Sequence, residues 1–262
     1  GRTYTVSRYI ERLSDLVDTH EGLAVVHGWV SFVTGRFAEA ERALTTASRL
    51  DTAGVDAGLI RSLSAMIHLA KGDVASGLTA VEGQVPMTEP THPMVFGAVR
   101  VMGGRFDEAR PFIDEAKEMA ASRPDYFVAA VTPIFEAIAE LEDGRSVAAR
   151  DVASASIAFA DERRIAEAPQ MALAHSVLAR TTNDPDTAMS AARRGVQLAR
   201  RSPENVMLIY ALASAADVAF EQVALDDGTA AMRIGVAKLA LSLGDGMVTI
   251  AEGTGALFLK PG

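Results

Sequence analysis

Gly35-Arg36-Phe37-Ala38-Glu39-Ala40 returns with a single change as Gly104-Arg105-Phe106-Asp107-Glu108-Ala109. Weaker copies of this hexapeptide lie between and after these two, each with a glycine or a substitute for it at the first position. The turn positions are Gly35, Gly72, Gly104, Gly144 and Asn183, at steps of 37, 32, 40 and 39 residues. A sequence period in this range indicates an array of helix pairs, and such arrays present surfaces more often than they carry chemistry.

Small residues recur at three further positions of each copy. Seven residues before the turn position are Gly28, Ala65, Gly97, Ala137 and Ser176. Five residues after it are Ala40, Gly77, Ala109, Ala149 and Ala188. Twelve residues after it are Ala47, Gln84, Ala116, Ser156 and Gly195, of which only the glutamine is large. Because the distance between two packed helices depends on the side chains at their contact, the pattern predicts one close helix contact that is built five times.

Two copies resemble the tetratricopeptide repeat, which has a small residue late in its first helix, Gly-x-aromatic at the turn and two alanines seven apart in its second helix. The matching residues are Gly28, Gly35, Phe37, Ala40 and Ala47, and then Gly97, Gly104, Phe106, Ala109 and Ala116. The other three copies have Val74, Ser146 and Pro185 in place of the turn aromatic. No copy follows another at the family's usual step of about 34 residues. The resemblance covers roughly residues 20 to 203.

The resemblance implies an all-α fold, a right-handed superhelix of about six antiparallel helix pairs, which is a tetratricopeptide-like α-solenoid. We predict that residues 1–243 form this helical repeat domain and that residues 244–262 form an irregular tail or a small hairpin. Turn and capping signals predict the individual helices. They are expected at 2–18, 21–34, 37–50, 57–71, 74–83, 92–102, 106–122, 125–142, 145–161, 165–180, 185–201, 204–224 and 228–243.

In tetratricopeptide arrays the first helix of each pair lines the concave face, and the resemblance implies an apolar face here. Its positions are Val25, Trp29, Phe32, Val33, Leu59, Ser62, Met66, Leu69, Met94, Ala98, Val101, Met102, Val131, Ile134, Ile138, Leu141, Gln170, Leu173, Val177 and Arg180. The candidate ligand-binding residues are Trp29, Phe32, Met66, Met94, Ile134 and Ile138. Such a face suits an amphipathic helix of a protein or peptide partner, or a small apolar effector. The alternative is that the face packs on itself or on a flanking domain.

Composition bears on several classes of function. The net charge of −9 and the pI of about 5.1 argue against direct binding of nucleic acid by this segment. The chain has no cysteine, which removes disulfides and thiolate metal sites and suits a reducing cytoplasm. No apolar run reaches the ~18 residues that a membrane span needs, and no signal peptide is visible. We therefore expect a cytoplasmic domain without membrane contact. The start at Gly1 favours a segment cut from a larger protein.

Motifs for catalysis, cofactors and metals were sought and none was found. The sequence lacks the Gly-x-x-x-x-Gly-Lys-Ser/Thr phosphate loop and the His-Glu-x-x-His metal motif. The five histidines are scattered, and His27 and His175 share one phase of the repeat, which favours packed side chains over metal ligands. We expect no catalytic residue, no bound metal and no cofactor, and therefore a protein that is not an enzyme.

The loosened repeat and the Ala/Arg/Asp-rich sequence resemble the helical-repeat segment of large ATP-dependent LuxR-type transcription regulators of the maltose-activator group. In that family an ATPase module precedes the repeats and a LuxR-type helix-turn-helix follows them. The repeats receive the inducer or partner and help to control self-association. The resemblance implies the signal-sensing and oligomerisation arm of a bacterial regulator. The alternative is a stand-alone repeat scaffold that binds a peptide or protein partner.

We predict that the isolated chain neither hydrolyses ATP nor binds duplex DNA, since it lacks the phosphate loop and is acidic. Phosphate release and fluorescence anisotropy with a labelled duplex test this. DNA binding at physiological ionic strength that weakens steeply with added salt would contradict the prediction, because contacts to phosphates impose that dependence.

Overall fold

Between residues 13 and 225 the described part of the chain consists of α-helices and their connections. The computed structural model describes residues 9, 13–51, 57–83, 86–123, 125–202, 205–225, 248–250 and 257–259. The helices are α1 (Ser14–Val17), α2 (Glu21–Val33), α3 (Phe37–Leu50), α4 (Ala57–Ala70), α5 (Val74–Ala80), α6 (Thr91–Met102), α7 (Phe106–Ser122), α8 (Tyr126–Glu142), α9 (Ser146–Glu162), α10 (Met171–Thr181), α11 (Pro185–Ala199) and α12 (Asn205–Leu225). The helical character predicted from the sequence is confirmed for these residues.

Consecutive helices contact each other, and the first helices of successive pairs do so as well. α2 packs on α3, α4 on α5, α6 on α7, α8 on α9 and α10 on α11. Each first helix also contacts the next first helix, from α2 through α4, α6, α8 and α10 to α12. In addition α12 contacts α4, although the two are far apart in sequence. The first helices from α4 to α12 therefore form a closed ring of contacts.

The same turn joins the two helices of the first four pairs. Gly35, Gly72, Gly104 and Gly144 have φ angles of 76°, 78°, 72° and 78°. In each turn the next residue donates its backbone N–H to a carbonyl five residues earlier, as Arg36 does to Ser31 at 2.8 Å and Arg105 does to Arg100 at 2.8 Å. This hydrogen bond defines the Schellman motif, whose left-handed residue is usually glycine because a Cβ atom is strained there. The glycines that define the sequence period are therefore the residues that end the first helices.

The fifth turn is built differently: Asn183 lies in the connection between α10 and α11, as the sequence predicts, but it lacks the left-handed conformation of the turn glycines. Among the described residues Arg164 is the only non-glycine with a positive φ, so Asn183 is not left-handed. Asp184 caps α11 instead, because its carboxylate accepts the backbone N–H of Thr187 at 2.9 Å. Pro185 follows at the first helical position, where its missing N–H costs nothing.

The small residues lie where the paired helices approach each other, as the sequence predicts. A Cβ atom added to Gly28 would lie 2.5 Å from Cδ2 of Leu63 and 3.7 Å from the carbonyl oxygen of Ala40. One added to Gly97 would lie 3.0 Å from Cγ1 of Ile113 and 3.6 Å from the carbonyl oxygen of Ala109. The alanines at the second small position, Ala40, Ala109 and Ala149, have no exposed surface. At Gly28 a larger side chain would clash with the Leu63 side chain of α4, and at Gly97 it would press on Ile113 of the paired helix, whose backbone lies within van der Waals distance.

Two predicted helices differ from the observed ones. The helix expected at 165–180 begins only at Met171, because Pro169 has no backbone N–H and disfavours helical geometry in the residue before it. The helix expected at 74–83 ends at Ala80, before Gly83 with its φ of 80°. Most of the helix expected at 2–18, and all of the one expected at 228–243, lie outside the described residues.

The described residues of the C-terminal tail form two strands, β1 (Val248–Ile250) and β2 (Leu257–Leu259). They pair antiparallel, with Val248 opposite Leu259 and Ile250 opposite Leu257. These residues belong to the tail 244–262, for which the sequence predicts an irregular segment or a small hairpin. The division of the chain at residue 243 stays a prediction, because residues 226–247 lie outside the described part.

Ion pairs connect the C-terminal end of α8 with α7 and with the start of α9. Arg110 of α7 contacts the carboxylate of Glu140 at 3.0 Å and that of Asp143 at 2.7 Å. Arg145, at the start of α9, also pairs with Glu140 and lies 2.7 Å from Asp143. The hydrogen bond from Arg145, reinforced by the one from Arg110, lowers the pKa of Glu140 to about 2. Two arginines from different pairs thus share one carboxylate at the end of a first helix.

We predict that replacing Ala109 with leucine lowers the free energy of unfolding by about 1–3 kcal/mol, since the larger side chain must push α6 and α7 apart. Urea unfolding followed by circular dichroism measures the change. Ala121→Leu is the matched control, because Ala121 lies on the same helix with its side chain exposed. Equal unfolding midpoints for the two variants would show that the close contact at Ala109 does not exist.

We predict that Glu140→Gln lowers the free energy of unfolding by about 1–2 kcal/mol at pH 7, a figure reduced for partial exposure of the arginines. The folded-state pKa of Glu140 is depressed from 4.5 to about 2. The stabilisation by the carboxylate is therefore complete above about pH 5 and disappears as the pH falls towards 2. Urea unfolding of both proteins between pH 2 and 7 tests this, with the exposed Glu118→Gln as control. A difference that does not change with pH would contradict the assignment.

Candidate ligand-binding cavity

A cavity of about 400 Å³ lies between the first helices of the pairs. All six first helices contribute to its lining, and Gln170, the residue before α10, lines it as well. No described residue of the second helices α3, α5, α7, α9 and α11 is part of the lining. The lining residues are Trp29, Phe32, Val33, Leu59, Met66, Leu69, Thr91, Met94, Val95, Ala98, Met102, Phe127, Val131, Phe135, Gln170, Leu173, Val206 and Met207.

The structure brings four of the six candidate residues together on this cavity. Trp29 and Phe32 come from α2, Met66 from α4 and Met94 from α6. The rings of Trp29 and Phe32 meet edge to face, with their centroids 6.0 Å apart, so each fixes the orientation of the other. Residues far apart in the sequence therefore share one surface. Whether they bind a ligand stays a prediction.

Ile134 and Ile138 are not placed on the cavity. Their side chains are 0% and 3% exposed and belong to the main apolar core. The cavity runs obliquely across the first helices: it meets the C-terminal half of α2 but only the first turns of α10 and α12. On α8 it ends at Phe135, so the second half of that helix packs into the core. A sequence repeat predicts the same lining positions on every first helix. It contains no information on where along each helix the cavity lies.

Sequence reasoning missed six lining residues: Thr91, Val95, Phe127, Phe135, Val206 and Met207. Val206 and Met207 belong to α12, which has no turn glycine of the repeat to fix its register. Phe127 and Phe135 lie four residues on either side of Val131, which the repeat did identify, so an i, i+4 spacing on α8 was the signal that could have found them.

The lining is almost entirely apolar and contains no charged side chain among the described residues. Thr91 and Gln170 are the uncharged polar residues of the lining, and Trp29 contributes an indole side chain. The indole nitrogen is buried, and no described atom accepts its proton. Four methionines line the cavity: Met66 on α4, Met94 and Met102 on α6, and Met207 on α12. Methionine side chains adapt to irregular shapes, which suits a site that admits a small molecule.

The cavity reaches the protein surface beside two apolar side chains. Val33, the last residue of α2, is 50% exposed, and Phe127, in the first turn of α8, is 39% exposed. Both also line the cavity. Leu69, Val95 and Val131, in contrast, line it while being almost fully buried. The site therefore has a closed interior and an apolar entrance, the general form of a small-molecule pocket.

Buried arginines hold the helices that form the cavity. Arg100 of α6 donates from its guanidinium to the carbonyl oxygens of Phe96 at 2.9 Å and Val81 at 3.1 Å. Its guanidinium carbon lies 4.2 Å from the centre of the Phe112 ring, a cation–π contact with α7. The residue thus ties the end of α5 and the helix α7 to α6, which carries five of the lining residues.

Arg180 of α10 makes a similar link behind the cavity. It contacts Glu142 of α8 at 3.0 Å and Asp217 of α12 at 3.6 Å. It also lies 3.5 Å from the hydroxyl oxygen of Tyr210 on α12, whose pKa is raised by burial. The sequence assigned Arg180 to the groove, but its charged group joins three helices of the ring. This link adds to the packing of α12, which carries Met207, against α10 and α11.

Nothing in the described residues gathers a metal-binding set of three or more His, Asp or Glu side chains. Burial lowers the pKa of His175 and of His27, so both favour the neutral imidazole. None of the helices in this part of the chain is long and apolar enough to cross a membrane.

Comparison with known proteins gives no family for this chain. No protein-family model matches it, and no curated protein matches its sequence.

Proposed function

We propose that this chain is a ligand-sensing domain whose cavity binds a small apolar effector. The observation that carries the proposal is that six first helices, and none of the second helices α3 to α11 in the described part of the chain, line one cavity of about 400 Å³. This volume is within the range of small-molecule sites. One turn of an α-helix, about 10 Å wide and 5.4 Å long, already fills roughly 400 Å³. Size therefore favours a small molecule over the amphipathic peptide that the apolar face also suits.

The proposed architecture is a tetratricopeptide-like right-handed superhelix of about six helix pairs. Two features support it. The glycine turn recurs at Gly35, Gly72, Gly104 and Gly144 with nearly constant φ. The close contact between paired helices recurs at the small residues. The contact between α12 and α4 implies a tightly wound array, in which the inner face encloses a space instead of forming an open groove.

A ligand in this cavity would affect how the pairs pack on each other. It would contact helices from both ends of the described array, since Trp29 lies on α2 and Met207 on α12. Ligand binding that favours one arrangement of the ring shifts the population towards it. This is the behaviour required of the signal-sensing and oligomerisation arm of a LuxR-type bacterial transcription regulator, which is the function we propose.

A stand-alone scaffold that binds a protein or peptide is the second candidate. Exposed apolar side chains on α2 favour it, because Val26 and Val33 are 42% and 50% exposed and lie seven residues apart on one helix face. The full-length coding sequence distinguishes the two proposals. An ATPase module before this segment and a helix-turn-helix after it would support the regulator, whereas their absence would support the scaffold.

Ligand binding itself is tested with isopentylbenzene, a small apolar probe. We expect saturable binding in calorimetry that also changes the fluorescence of Trp29, the single tryptophan. Ala98→Leu places a larger side chain in the cavity and should weaken binding about tenfold or more. Ala121→Leu, the same change on an exposed face of α7, should leave the affinity unaltered. Absence of binding to the unmodified protein, or equal affinity for the two variants, would refute the proposal.

A further inference from the structure

The cavity follows α6 from the first residue of this helix to the last. Its lining residues on α6 are Thr91, Met94, Val95, Ala98 and Met102. Thr91 begins the helix and Met102 ends it. The distance between these two positions is about 16 Å along the axis of an α-helix. The cavity is therefore long compared with the small probe molecules that its volume admits.

A cavity of this length and volume is narrow. Its volume is about 400 Å³. Distributed over about 16 Å, this volume gives a mean cross-section of about 25 Å². Apolar groups in contact lie about 4–4.5 Å apart, so a single extended alkyl chain occupies about 20 Å². The cavity therefore accommodates one alkyl chain along its length and has no room for two chains side by side.

The first helices α6, α8 and α10 run in the same direction. Arg123, just before α8, donates a hydrogen bond to the carbonyl oxygen of Thr88, just before α6, at 2.9 Å. The starts of α6 and α8 are therefore adjacent. Arg180, near the end of α10, forms an ion pair at 3.0 Å with Glu142, which ends α8. Since α8 also contacts α10, these two helices begin at one shared end as well.

The polar residues of the lining lie at this shared end of the helices. Thr91 is the first residue of α6, and Gln170 directly precedes α10. Both residues keep part of their surface accessible. The lining residues close to the opposite ends of their helices are Val33 on α2, Leu69 on α4 and Met102 on α6, and all three are apolar. The cavity therefore has a polar end and an apolar end.

We propose that the effector has one unbranched alkyl chain, which lies along α6, and a hydrogen-bonding end group at Thr91 and Gln170, as in a long-chain alcohol or amide. An extended chain advances about 1.2 Å per bond, so the length of about 16 Å holds about twelve carbon atoms. This inference rests on the proposed ligand-binding function and adds the chemical class of the ligand. Thr91 and Gln170 determine specificity in it, because they distinguish the end group from the chain.

Alcohols of different length and shape test the form of the cavity. 1-Hexanol, 1-octanol, 1-decanol, 1-dodecanol and 1-tetradecanol are titrated into the full chain by calorimetry. We expect the affinity to rise about three- to fourfold per carbon atom, the effect of burying one methylene group, and to level off beyond about twelve carbon atoms. Cyclododecanol has as many carbon atoms as 1-dodecanol but is wider. Relative to its partition from water into octanol, it should bind at least about tenfold more weakly than 1-dodecanol.

A double variant tests the polar end. Thr91→Val combined with Gln170→Leu removes both polar side-chain groups and nearly keeps their size. We expect the double variant to bind 1-octanol about three- to tenfold more weakly, the effect of one hydrogen bond, without a loss of affinity for octane. Gln197→Leu is the matched control, because Gln197 lies on α11, outside the lining. It should leave both affinities unaltered.

The outcomes distinguish this inference from the function on which it rests. If neither isopentylbenzene nor any of the alcohols binds, the ligand-binding function fails and the inference fails with it. If ligands bind but the affinity levels off by eight carbon atoms, or still rises undiminished at fourteen, only the inference is overturned. The same holds if cyclododecanol binds as well as 1-dodecanol on the partition scale. A double variant that loses as much affinity for octane as for 1-octanol, or none for 1-octanol, would likewise overturn it.

Discussion

The close approach of paired helices at glycine and alanine is the constraint on which the rest of this structure depends. At Gly28 and Gly97 an added Cβ atom would lie within van der Waals distance of the carbonyl oxygens of Ala40 and Ala109 on the second helix, and at Gly28 it would also clash with Leu63 of α4. The turn glycine seven residues later ends the first helix in the left-handed conformation and reverses the chain. The turn and the contact act together. The turn ends the first helix at a fixed distance from the small residue, and the small residues allow the two helices to pack closely along their length.

This division of side chains explains why a cavity forms where it does. The small residues are used between the helices of a pair, so the larger apolar side chains of the first helices remain for the inner face. Trp29, Met66, Met94 and Phe135 are such residues, and the contacts between successive first helices bring them together. Large side chains on a closed ring cannot interdigitate as small ones do, and they leave about 400 Å³ between them. The packing that stabilises each pair thereby creates the space that we assign to a ligand.

The sequence predicts the elements of this fold well because its signals are local. Gly35 and Gly104 mark turns, Ala40 and Ala109 mark contacts, and Trp29, Phe32, Met66 and Met94 follow from their fixed distance to these residues. The position of a residue within its repeat does not determine how successive helix pairs are rotated relative to each other. Ile134 and Ile138 share the phase of cavity residues but lie in the core, and Met207 lines the cavity without any repeat position to indicate it. The roles of Arg100 and Arg180 depend on partners in other helices, which a repeat pattern does not encode.

The most direct test of this account is where a small apolar molecule contacts the protein. Methionine methyl groups labelled with carbon-13 report this through nuclear Overhauser effects from bound isopentylbenzene. The account predicts contacts to Met66 on α4, Met94 and Met102 on α6 and Met207 on α12, because these four line one cavity. It predicts none to Met119 on α7 or Met189 on α11, which belong to second helices. Contacts to Met119 or Met189 in place of the cavity methionines would contradict the central claim that, among the described helices, the first helices of the pairs line the site.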